Sequence, residues 1–383
     1  MNIGLIKEIK IKENRVGLTP EGVAKLTANG HQVAVEQSAG VGSGYTDEAY
    51  QLAGAVIVST SQAWDNELVI KVKEPVESEY GYLKQQIVFT YFHLAGVPWA
   101  LTQALLDGKT TAVAYETLVD SNGRLPLLAP MSAIAGDMAV QMGCYYLAAS
   151  NGGKGAMLGS VMGKRYGKVL IIGDGVVGTH AAKTAYGLGS NVAVAGLFPE
   201  NGERLRKEIS LDIEFFISDP AAITEHLRDT DLLIGAVLVH GARATHLVTE
   251  AMVKSMQPGS VLVDVSIDQG GCIETAKATS HDAPVYEKHG VIHYCVSNMP
   301  GAYPRTATLA LTEATLPYVL KLADKGLAVL IEDPGFGKAL NTYKGYITCK
   351  PVAESYDALA QFRAFPGDFD TERDESSVRY VSG

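Results

Sequence analysis

Short apolar runs alternate with amphipathic segments through roughly the first 125 residues of the chain. The runs are rich in β-branched residues, which favour strands, whereas Glu21–Ala28 and Trp99–Leu106 have the apolar spacing of helices. Six strands are predicted: Asn2–Ile6, Gln32–Glu36, Ala55–Val58, Leu68–Val72, Ile87–Tyr91 and Thr111–Tyr115. Thr19-Pro20 predicts the start of the first helix, because a hydroxyl caps and a proline suits the first turn.

The same alternation returns after Lys168, and apolar residues at helical spacing between Pro130 and about Ser150 predict a long connecting helix. Six further strands are predicted: Val169–Ile172, Asn191–Ala195, Ile213–Ile217, Leu232–Val237, Ser260–Val265 and Val291–Val296. Repeated strand–helix alternation favours parallel sheets covered by helices on both faces. The chain is therefore predicted to form two Rossmann-like, doubly wound α/β domains with mostly parallel sheets, joined by long helices.

A second long helical pattern, Thr306–Lys325, does not continue the strand–helix repeat, and we expect Pro317 to interrupt it. We infer that the chain returns to the first domain here. The prediction is a discontinuous domain of residues 1–128 and 306–383, and an inserted domain of residues 129–305. The last 25 or so residues are rich in acidic side chains, and we expect a solvated, partly mobile tail.

Composition and charge narrow the function classes. The net charge of −10 argues against binding to a nucleic-acid backbone. We find no signal-like start and no apolar run long enough for a membrane span, so a cytoplasmic protein is expected. The four cysteines are far apart and are expected to be buried free thiols, and the histidines show no metal-ligand spacing. Glycine is frequent, with 40 residues, and its clusters mark turns.

One glycine cluster is a specific motif. Gly173, Gly175 and Gly178 match G-x-G-x-x-G directly after an apolar strand and at the start of an Ala-rich helix. These glycines allow a tight turn, close approach of the backbone to a pyrophosphate, and close helix–strand packing. With Val176 and Val177 they predict a dinucleotide-binding loop at a helix N-terminus.

The ribose-binding part of this motif is incomplete. An acid is expected at the end of the next strand, about 20 residues on, but Gly196 stands there. Glu200 could reach back from the following loop. Arg204 and Arg206 could meet a 2′-phosphate, although they lie farther along the chain and a solvated helix face is the favoured interpretation of both. The choice between NAD and NADP therefore stays open at this point.

Four polar residues follow or flank predicted strands, where side chains of α/β proteins commonly point into a ligand-binding cleft. Arg15 has the planar fork that binds carboxylates, and Lys73 follows a strand immediately before a turn. His93 ends another strand, and histidine is a residue type suited to general acid/base chemistry. Asp268 lies beside a Gly-Gly turn. Taken singly, each residue also fits an ordinary surface or structural role.

Several blocks, in order from residue 3 to about 325, together resemble bacterial alanine dehydrogenases within the alanine dehydrogenase/transhydrogenase group. They are Lys7–Lys10 with Glu13–Pro20, Ile70–Pro75, Phe89–Leu94, Ala114–Thr117, Leu125–Ser132, the glycine loop, Gly235–Val239, Val263–Cys272 and Ser297–Pro300. The resemblance implies reversible, NAD-dependent oxidative deamination of L-alanine to pyruvate and ammonium. It also implies a homohexamer.

The resemblance assigns roles to matching positions. Arg15 and Lys73 would bind the pyruvate carboxylate and oxo groups, with Met131 near the substrate, and His93 would be the general acid/base. Asp268 would complete the site near the nicotinamide and share proton transfer, and Lys73 would also act catalytically. Further cofactor contacts are implied at Ser132, Ser218, Val239, Ile267, Asn298 and Met299.

Three other functions remain open at this level. A soluble NAD-binding subunit of a proton-translocating transhydrogenase would share the fold, but that group lacks the Lys and His matching Lys73 and His93. A saccharopine- or other opine-type dehydrogenase would bind a bulkier substrate. A catalytically silent NAD-binding partner would leave the polar residues at the strand ends unused.

Overall fold

The computed structural model describes residues 1–237 and 246–369. The strands are β1 (Asn2–Leu5), β2 (Gln32–Glu36), β3 (Val56–Val58), β4 (Leu68–Ile70), β5 (Ile87–Thr90), β6 (Thr111–Ala114), β7 (Ser160–Val161), β8 (Lys164–Arg165), β9 (Lys168–Ile172), β10 (Asn191–Gly196), β11 (Glu214–Ile217), β12 (Leu232–Gly235), β13 (Val261–Asp264), β14 (Val285–Lys288), β15 (Val291–Tyr294), β16 (Leu340–Tyr343) and β17 (Tyr346–Ile347).

The α-helices alternate with these strands over much of the chain. They are α1 (Pro20–Ala28), α2 (Asp47–Leu52), α3 (Thr60–Trp64), α4 (Trp99–Asp107), α5 (Ala129–Leu147), α6 (Val176–Leu188), α7 (Pro199–Glu208), α8 (Pro220–Leu227), α9 (Glu250–Lys254), α10 (Pro304–Lys325), α11 (Val329–Glu332), α12 (Pro334–Gly337) and α13 (Lys350–Ser355). No helix in the described ranges is long and apolar enough to cross a membrane.

The chain divides into two compact units. Unit 1 contains Met1–Leu128 and the chain from Pro304, and unit 2 contains Ala129–Tyr303. In unit 1 the parallel strands lie in the order β3-β2-β1-β4-β5-β6, and β16 and β17 extend this sheet antiparallel beyond β6. In unit 2 the order is β11-β10-β9-β12-β13-β15, with β14 antiparallel at the edge.

Both parallel sheets therefore have the strand order of a doubly wound fold, and the predicted fold class is confirmed. The order reverses between β1 and β4 in unit 1 and between β9 and β12 in unit 2. In such folds, ligands bind beyond the carboxyl ends of the strands on either side of this reversal. The functional side chains are therefore expected after β1, β4, β9 and β12.

Side chains that alternate along the central strands build the core on both faces of the unit 2 sheet. In β9, Val169 and Ile171 pack into one apolar cluster and Leu170 and Ile172 into another. All four side chains are fully buried. Such continuous apolar runs are typical of strands covered by helices on both sides. This buried strand fixes the position at which the glycine loop begins.

Local signals explain where several helices begin, and one sequence-based expectation is wrong. The Thr19 hydroxyl accepts a hydrogen bond from the Gly22 amide at the start of α1, with Pro20 in the first turn, as predicted. Pro317, however, does not interrupt its helix, because α10 runs continuously over 22 residues. Neighbouring contacts in the fold can compensate for the amide that proline lacks.

The chain after α10 is also more ordered than a mobile tail over its described part. Phe365 and Phe369 pack edge-on against Tyr343 in β16, at ring-centroid distances of 5.6 and 5.1 Å. The acidic residues from 370 onward lie outside the described residues. All four cysteines are free thiols, but only Cys272 and Cys295 are buried, and the other two are half-buried.

Candidate active site

The glycine loop of unit 2 has the geometry that its motif predicts. Gly173 has a positive φ of 113°, and a Cβ at Gly178 would lie 1.9 Å from the Gly173 carbonyl oxygen. Side chains at these two positions are therefore excluded by strain and by contact. Gly175 caps α6, and the space around its Cβ position is open. A diphosphate fits this helix N-terminus, with Val176 and Val177 opening the first turn.

The end of β10 shows why Gly196 carries no side chain. A Cβ on Gly196 would lie 2.1 Å from Oδ2 of Asp174 and 2.5 Å from the Phe215 ring. The Asp174 carboxylate therefore occupies the space where a strand-end side chain would begin. Glu200, in contrast, is exposed in the first turn of α7.

Arg204 contacts the glycine loop, so its interpretation as part of a solvated helix face is wrong. Its guanidinium donates to the Asp174 carbonyl at 2.7 Å and to the Thr179 hydroxyl at 3.3 Å. Arg206 donates to the Ile213 carbonyl at 3.2 Å. Long side chains on α7 thus tie this helix to neighbouring segments of unit 2, which sequence spacing alone does not reveal.

Two further cofactor candidates lie after strands β11 and β12. The Ser218 amide donates to the Gly196 carbonyl at 2.8 Å, and its Oγ is buried without a hydrogen-bond partner among the described residues. A buried hydroxyl in this state is suited to a ligand that supplies the missing partner. Val239 lies outside the described residues.

Asp268 and Asn298 meet in unit 2. Asp268 lies in the 3₁₀ turn Val265–Gln269 that follows β13, and the Asn298 amide lies 3.3 Å from each oxygen of its carboxylate. Asn298 itself has the left-handed φ of 56°. Ile267 and Met299 are next to these two residues, but their side chains are buried in the apolar core.

Asp264 holds the turn that carries Asp268. Its fully buried carboxylate accepts amide hydrogen bonds from Ser266 at 3.0 Å, Cys272 at 3.0 Å and Ile273 at 3.2 Å. Burial raises the pKa of Asp264 to about 6, against these stabilising hydrogen bonds. These hydrogen bonds from both sides of Asp268 in the chain fix the loop that carries it, and the sequence-based prediction missed Asp264.

In unit 1, Lys73 and His93 follow the adjacent strands β4 and β5, and β1 is the next neighbour of β4. Glu8, which follows β1, accepts hydrogen bonds from the amides of Val72 at 2.7 Å and Lys73 at 3.1 Å. The Thr90 hydroxyl donates to the Lys73 carbonyl at 3.0 Å. The backbone of Lys73 is therefore held from both neighbouring strands.

A buried ion-pair cluster supports this arrangement. The Lys71 ammonium lies 2.8 Å from Glu79 and 3.5 Å from Glu8, and its side chain is fully buried. Burial lowers the pKa of Lys71, but the two carboxylates outweigh that effect and raise it overall. Burial raises the pKa of Glu8 despite the nearby Lys71 charge. The cluster anchors the ends of β1 and β4 beside Lys73.

Arg15 is almost completely buried and forms a forked ion pair with Glu13. The guanidinium donates to the two Glu13 carboxylate oxygens at 2.7 and 2.5 Å. Burial lowers the pKa of Arg15, while Glu13, with smaller effects of Tyr91 and Glu8, raises it overall. Arg15 therefore remains a permanent cation in the interior of unit 1.

The His93 side chain is exposed, and hydrogen bonds to its backbone fix its position. It adopts a left-handed φ of 49°, and the Glu116 carboxylate accepts the amides of Phe92 at 3.1 Å and His93 at 2.6 Å. Its ring stacks on Tyr91, with centroids 5.7 Å apart and planes within 3°. Burial raises the pKa of Tyr91, whose hydroxyl donates to the Leu127 carbonyl at 2.5 Å. The imidazole is thus presented on a rigid support.

The structure places the remaining two candidates on α5 in unit 2, where Met131 is buried and Ser132 is half-buried. Sequence reasoning missed Glu8, Glu13, Tyr91 and Glu116 as supports of the unit 1 residues. Glu8, Glu13 and Glu116 lie inside the blocks that carry the family resemblance, which is the signal that could have found them. Tyr91 lies inside these blocks as well, within Phe89–Leu94.

Comparisons with known proteins agree with this geometry over the whole chain. The family model "Alanine dehydrogenase/PNT, N-terminal domain" matches residues 4–135, and the C-terminal domain model matches residues 139–350. The chain belongs to the alanine dehydrogenase/PNT family. Alanine dehydrogenase of Bacillus subtilis (strain 168) is 51% identical over 388 residues and covers 99% of both chains. Alanine dehydrogenase 2 of Staphylococcus aureus (strain USA300) is 50% identical, over 93% of this chain and 97% of its own length.

Solved structures show the same relationship. An L-alanine dehydrogenase structure has a TM-score of 0.90 and 48% identity, covering 94% of this chain and 100% of its own. A transhydrogenase structure from Sinorhizobium meliloti has a TM-score of 0.78 and 27% identity, over 91% and 98%. The predicted membership of this family is confirmed, and both relatives share its fold.

Proposed function

We propose that this protein is an NAD-dependent L-alanine dehydrogenase that catalyses the reversible oxidative deamination of L-alanine to pyruvate and ammonium. The observation that carries this proposal is the 51% identity to an alanine dehydrogenase across 99% of both chains. The function predicted from the sequence agrees with these relatives. Lys73 and His93, placed after adjacent strands, supply the polar groups that amino-acid chemistry needs and simple dinucleotide binding does not.

Unit 1 carries the substrate chemistry in this proposal, with residues 1–128 and 306–383 as the substrate domain. Arg15 binds the substrate carboxylate, because a guanidinium fork matches a carboxylate in shape and charge. Lys73 binds the oxo group and stabilises negative charge that develops on it. His93 acts as the general acid/base while ammonia adds to pyruvate and water leaves. Met131, from α5, contributes an apolar contact to the substrate.

Unit 2, with residues 129–305 as the NAD domain, holds the cofactor. The glycine loop from Gly173 to Gly178 takes the diphosphate, and Ser218 offers its buried hydroxyl. Asp268 stands near the nicotinamide and shares proton transfer. The remaining contacts are assigned to Ser132, Val239, Ile267, Asn298 and Met299. Bound NADH supplies the hydride that reduces the iminium carbon to L-alanine.

The same proposal includes a homohexamer in the cytoplasm. The hexamer is supported by the family resemblance. A reducing compartment such as the cytoplasm is supported by the four cysteines, which are all free thiols. Most soluble oligomers are homo-oligomers with closed symmetry. Sedimentation equilibrium of the purified protein is expected to give six chains per particle, and a stable monomer or dimer would refute the hexamer.

A spectrophotometric assay tests the function. NADH oxidation in the presence of pyruvate should require ammonium, and the reverse reaction should reduce NAD with L-alanine. A transhydrogenase-type subunit would show neither reaction, and an opine-type dehydrogenase would need an amino acid as the amine donor in place of ammonium. Absence of ammonium-dependent oxidation with every small 2-keto acid tried would refute the proposal.

A further inference from the structure

The end of β10 lacks the acid that Rossmann domains use for the adenine-side ribose. That acid usually hydrogen-bonds the 2′-hydroxyl and thereby selects NAD over NADP. In this chain the strand ends in Gly196, which has no side chain to offer. Glu200 is exposed in the first turn of α7, which begins at Pro199 after the strand end. The selecting group must therefore come from another segment or be absent.

A carboxylate nevertheless stands at this place. Oδ2 of Asp174 lies 2.1 Å from the position that a Cβ on Gly196 would occupy. Asp174 is the residue between Gly173 and Gly175, so its backbone belongs to the loop that faces the diphosphate. A carboxylate and a strand-end side chain cannot share this space. The absence of a side chain at Gly196 thus leaves room for the Asp174 carboxylate at this strand end.

The Asp174 side chain is held in this position by α7. Asn201 Nδ2 donates to Oδ2 of Asp174 at 3.0 Å, and Arg204 donates to the Asp174 carbonyl at 2.7 Å. The Arg204 guanidinium also contacts the Thr179 hydroxyl and Glu208 at 3.3 and 3.5 Å. Arg204 is thus engaged in packing α7 onto the loop.

A second, independent observation, a buried hydroxyl without a hydrogen-bond partner, points to a ligand beside this carboxylate. Ser218 donates its amide to the Gly196 carbonyl, while its buried Oγ lacks a hydrogen-bond partner within residues 1–237 and 246–369. A buried hydroxyl that stays unpaired is costly, and a polar group of a bound ligand would remove that cost. The unpaired hydroxyl and the carboxylate flank the same strand end.

We propose that Asp174 is the ribose-binding acid of this protein and determines its preference for NAD over NADP. An ionised carboxylate only accepts hydrogen bonds, so it binds the ribose hydroxyls and repels a 2′-phosphate. The inference rests on the proposed binding of NAD by unit 2. It goes further by assigning the cofactor specificity to a loop residue that the usual motif leaves undefined.

Equilibrium binding of NADH and NADPH, measured by fluorescence titration without substrate, tests this assignment. Wild-type protein is expected to bind NADH at least ~10-fold more tightly than NADPH. In D174G the NADH affinity should fall by ~10- to 100-fold, the effect of losing a hydrogen bond to a charged group. The NADPH affinity of D174G should stay the same or rise, so that the ratio of NADH affinity to NADPH affinity approaches one. D174N, which keeps the shape and loses the charge, should gain affinity for NADPH.

ADP-ribose and its 2′-phosphate derivative provide a second readout that does not involve the nicotinamide, and they should show the same change of ratio. D229N is the matched control. It removes one negative charge at Asp229, which pairs with Lys168 at the beginning of β9, the opposite end of the strand from the loop. The control should keep the wild-type ratio.

Two results would overturn the proposal. One is an equal loss of NADH and NADPH affinity in both D174G and D174N, which would indicate general damage to the loop. The other is a wild-type preference for NADPH, which would assign Arg204 to the 2′-phosphate. Ammonium-dependent alanine formation with either result would refute this inference alone. An Asp174-dependent preference for NADH without that activity would refute only the proposed function.

Discussion

At the scale of single residues, the proposed chemistry depends on two side chains that follow adjacent strands of unit 1. His93 stands on a stacked tyrosine ring with its backbone fixed by Glu116, and the backbone of Lys73 is fixed by Glu8 and Thr90. Such support from neighbouring groups keeps a reactive side chain within the narrow geometry that catalysis requires.

Substituting these two residues should impair turnover without affecting the cofactor. In H93A and K73A, kcat/KM for pyruvate is expected to fall by ~10²- to 10⁴-fold, the usual loss for a general acid/base or a charge-stabilising group. NADH affinity, measured by fluorescence titration, should stay within twofold of the wild type, because unit 2 is unchanged.

H289Q is the control for the histidine, since His289 pairs with Glu250 on the surface of unit 2. It should keep wild-type kinetics. If H93A and K73A both retained near-normal turnover, the assignment of the substrate-binding residues would be wrong.

Asp264 gives a residue-scale prediction on stability. Its pKa of about 6 lies above the value of an unfolded aspartate, because burial disfavours the charged carboxylate. The folded state therefore binds the proton more tightly, and the free energy of unfolding contributed by this group falls as pH rises from 4 to 6. An asparagine at this position does not titrate.

Urea unfolding of wild type and D264N at several pH values between 4 and 7 measures this effect. The stability of wild type relative to D264N should fall by about 2 kcal/mol across the range. The stability of wild type relative to E250Q should instead rise with pH, because His289 and Lys288 lower the pKa of Glu250 to about 2. A difference between wild type and D264N that is independent of pH would contradict the account.

At the scale of elements, most strands could be predicted because their apolar runs are buried on both faces. The predicted and observed bounds of Gln32–Glu36 agree, and those of Asn191–Ala195 differ by one residue at the end. β7, β8, β14, β16 and β17 were not predicted, because they are antiparallel strands of two to four residues and too short for a clear periodic pattern. Among them, β16 also pairs with the distant strand β6, which a local pattern cannot show. Pro317 was misjudged because its neighbours Leu316 and Val319 are buried, and this burial stabilises the helix in a way that a local pattern does not show.

The glycine loop was predictable in position but not in its contacts. The residues of G-x-G-x-x-G are adjacent in the chain, so their spacing reveals the motif. The pairing of Asp174 with Gly196 joins residues 22 positions apart, and only the folded sheet brings them together. For the same reason, the contact of Arg204 with the loop could not be read from helical spacing.

Two glycines of α6 offer a test of how the loop is built. In G178A the new methyl group would meet the Gly173 carbonyl at 1.9 Å, so the loop must distort. We expect a loss of ~1–3 kcal/mol in the free energy of unfolding and at least a ~10-fold loss of NADH affinity. In G187A the new methyl group enters open space on the same helix.

G187A is therefore expected to hold or slightly raise the free energy of unfolding, by up to about 1 kcal/mol. Chemical denaturation and fluorescence titration of both variants provide the comparison. If the two variants had the same free energy of unfolding and the same NADH affinity, the close approach at Gly178 would not be needed for the loop conformation.

At the scale of the whole molecule, the same strand order occurs in both units, and the proposed functional residues lie beyond the carboxyl ends of the strands in each. Unit 1 places Glu8, Lys73 and His93 after β1, β4 and β5, and unit 2 places the glycine loop after β9 and Asp268 after β13. Doubly wound sheets bind ligands at this edge. In the proposed function, unit 1 therefore binds the small acid and unit 2 binds the dinucleotide.

The central claim is that this protein joins ammonium to pyruvate. The most direct measurement incubates the purified protein with pyruvate, NADH and ¹⁵N-labelled ammonium, and follows the products by nuclear magnetic resonance. L-[¹⁵N]alanine should form in a one-to-one ratio with the NADH consumed. NADH consumption that yields lactate or an unlabelled product, or no consumption at all, would contradict it.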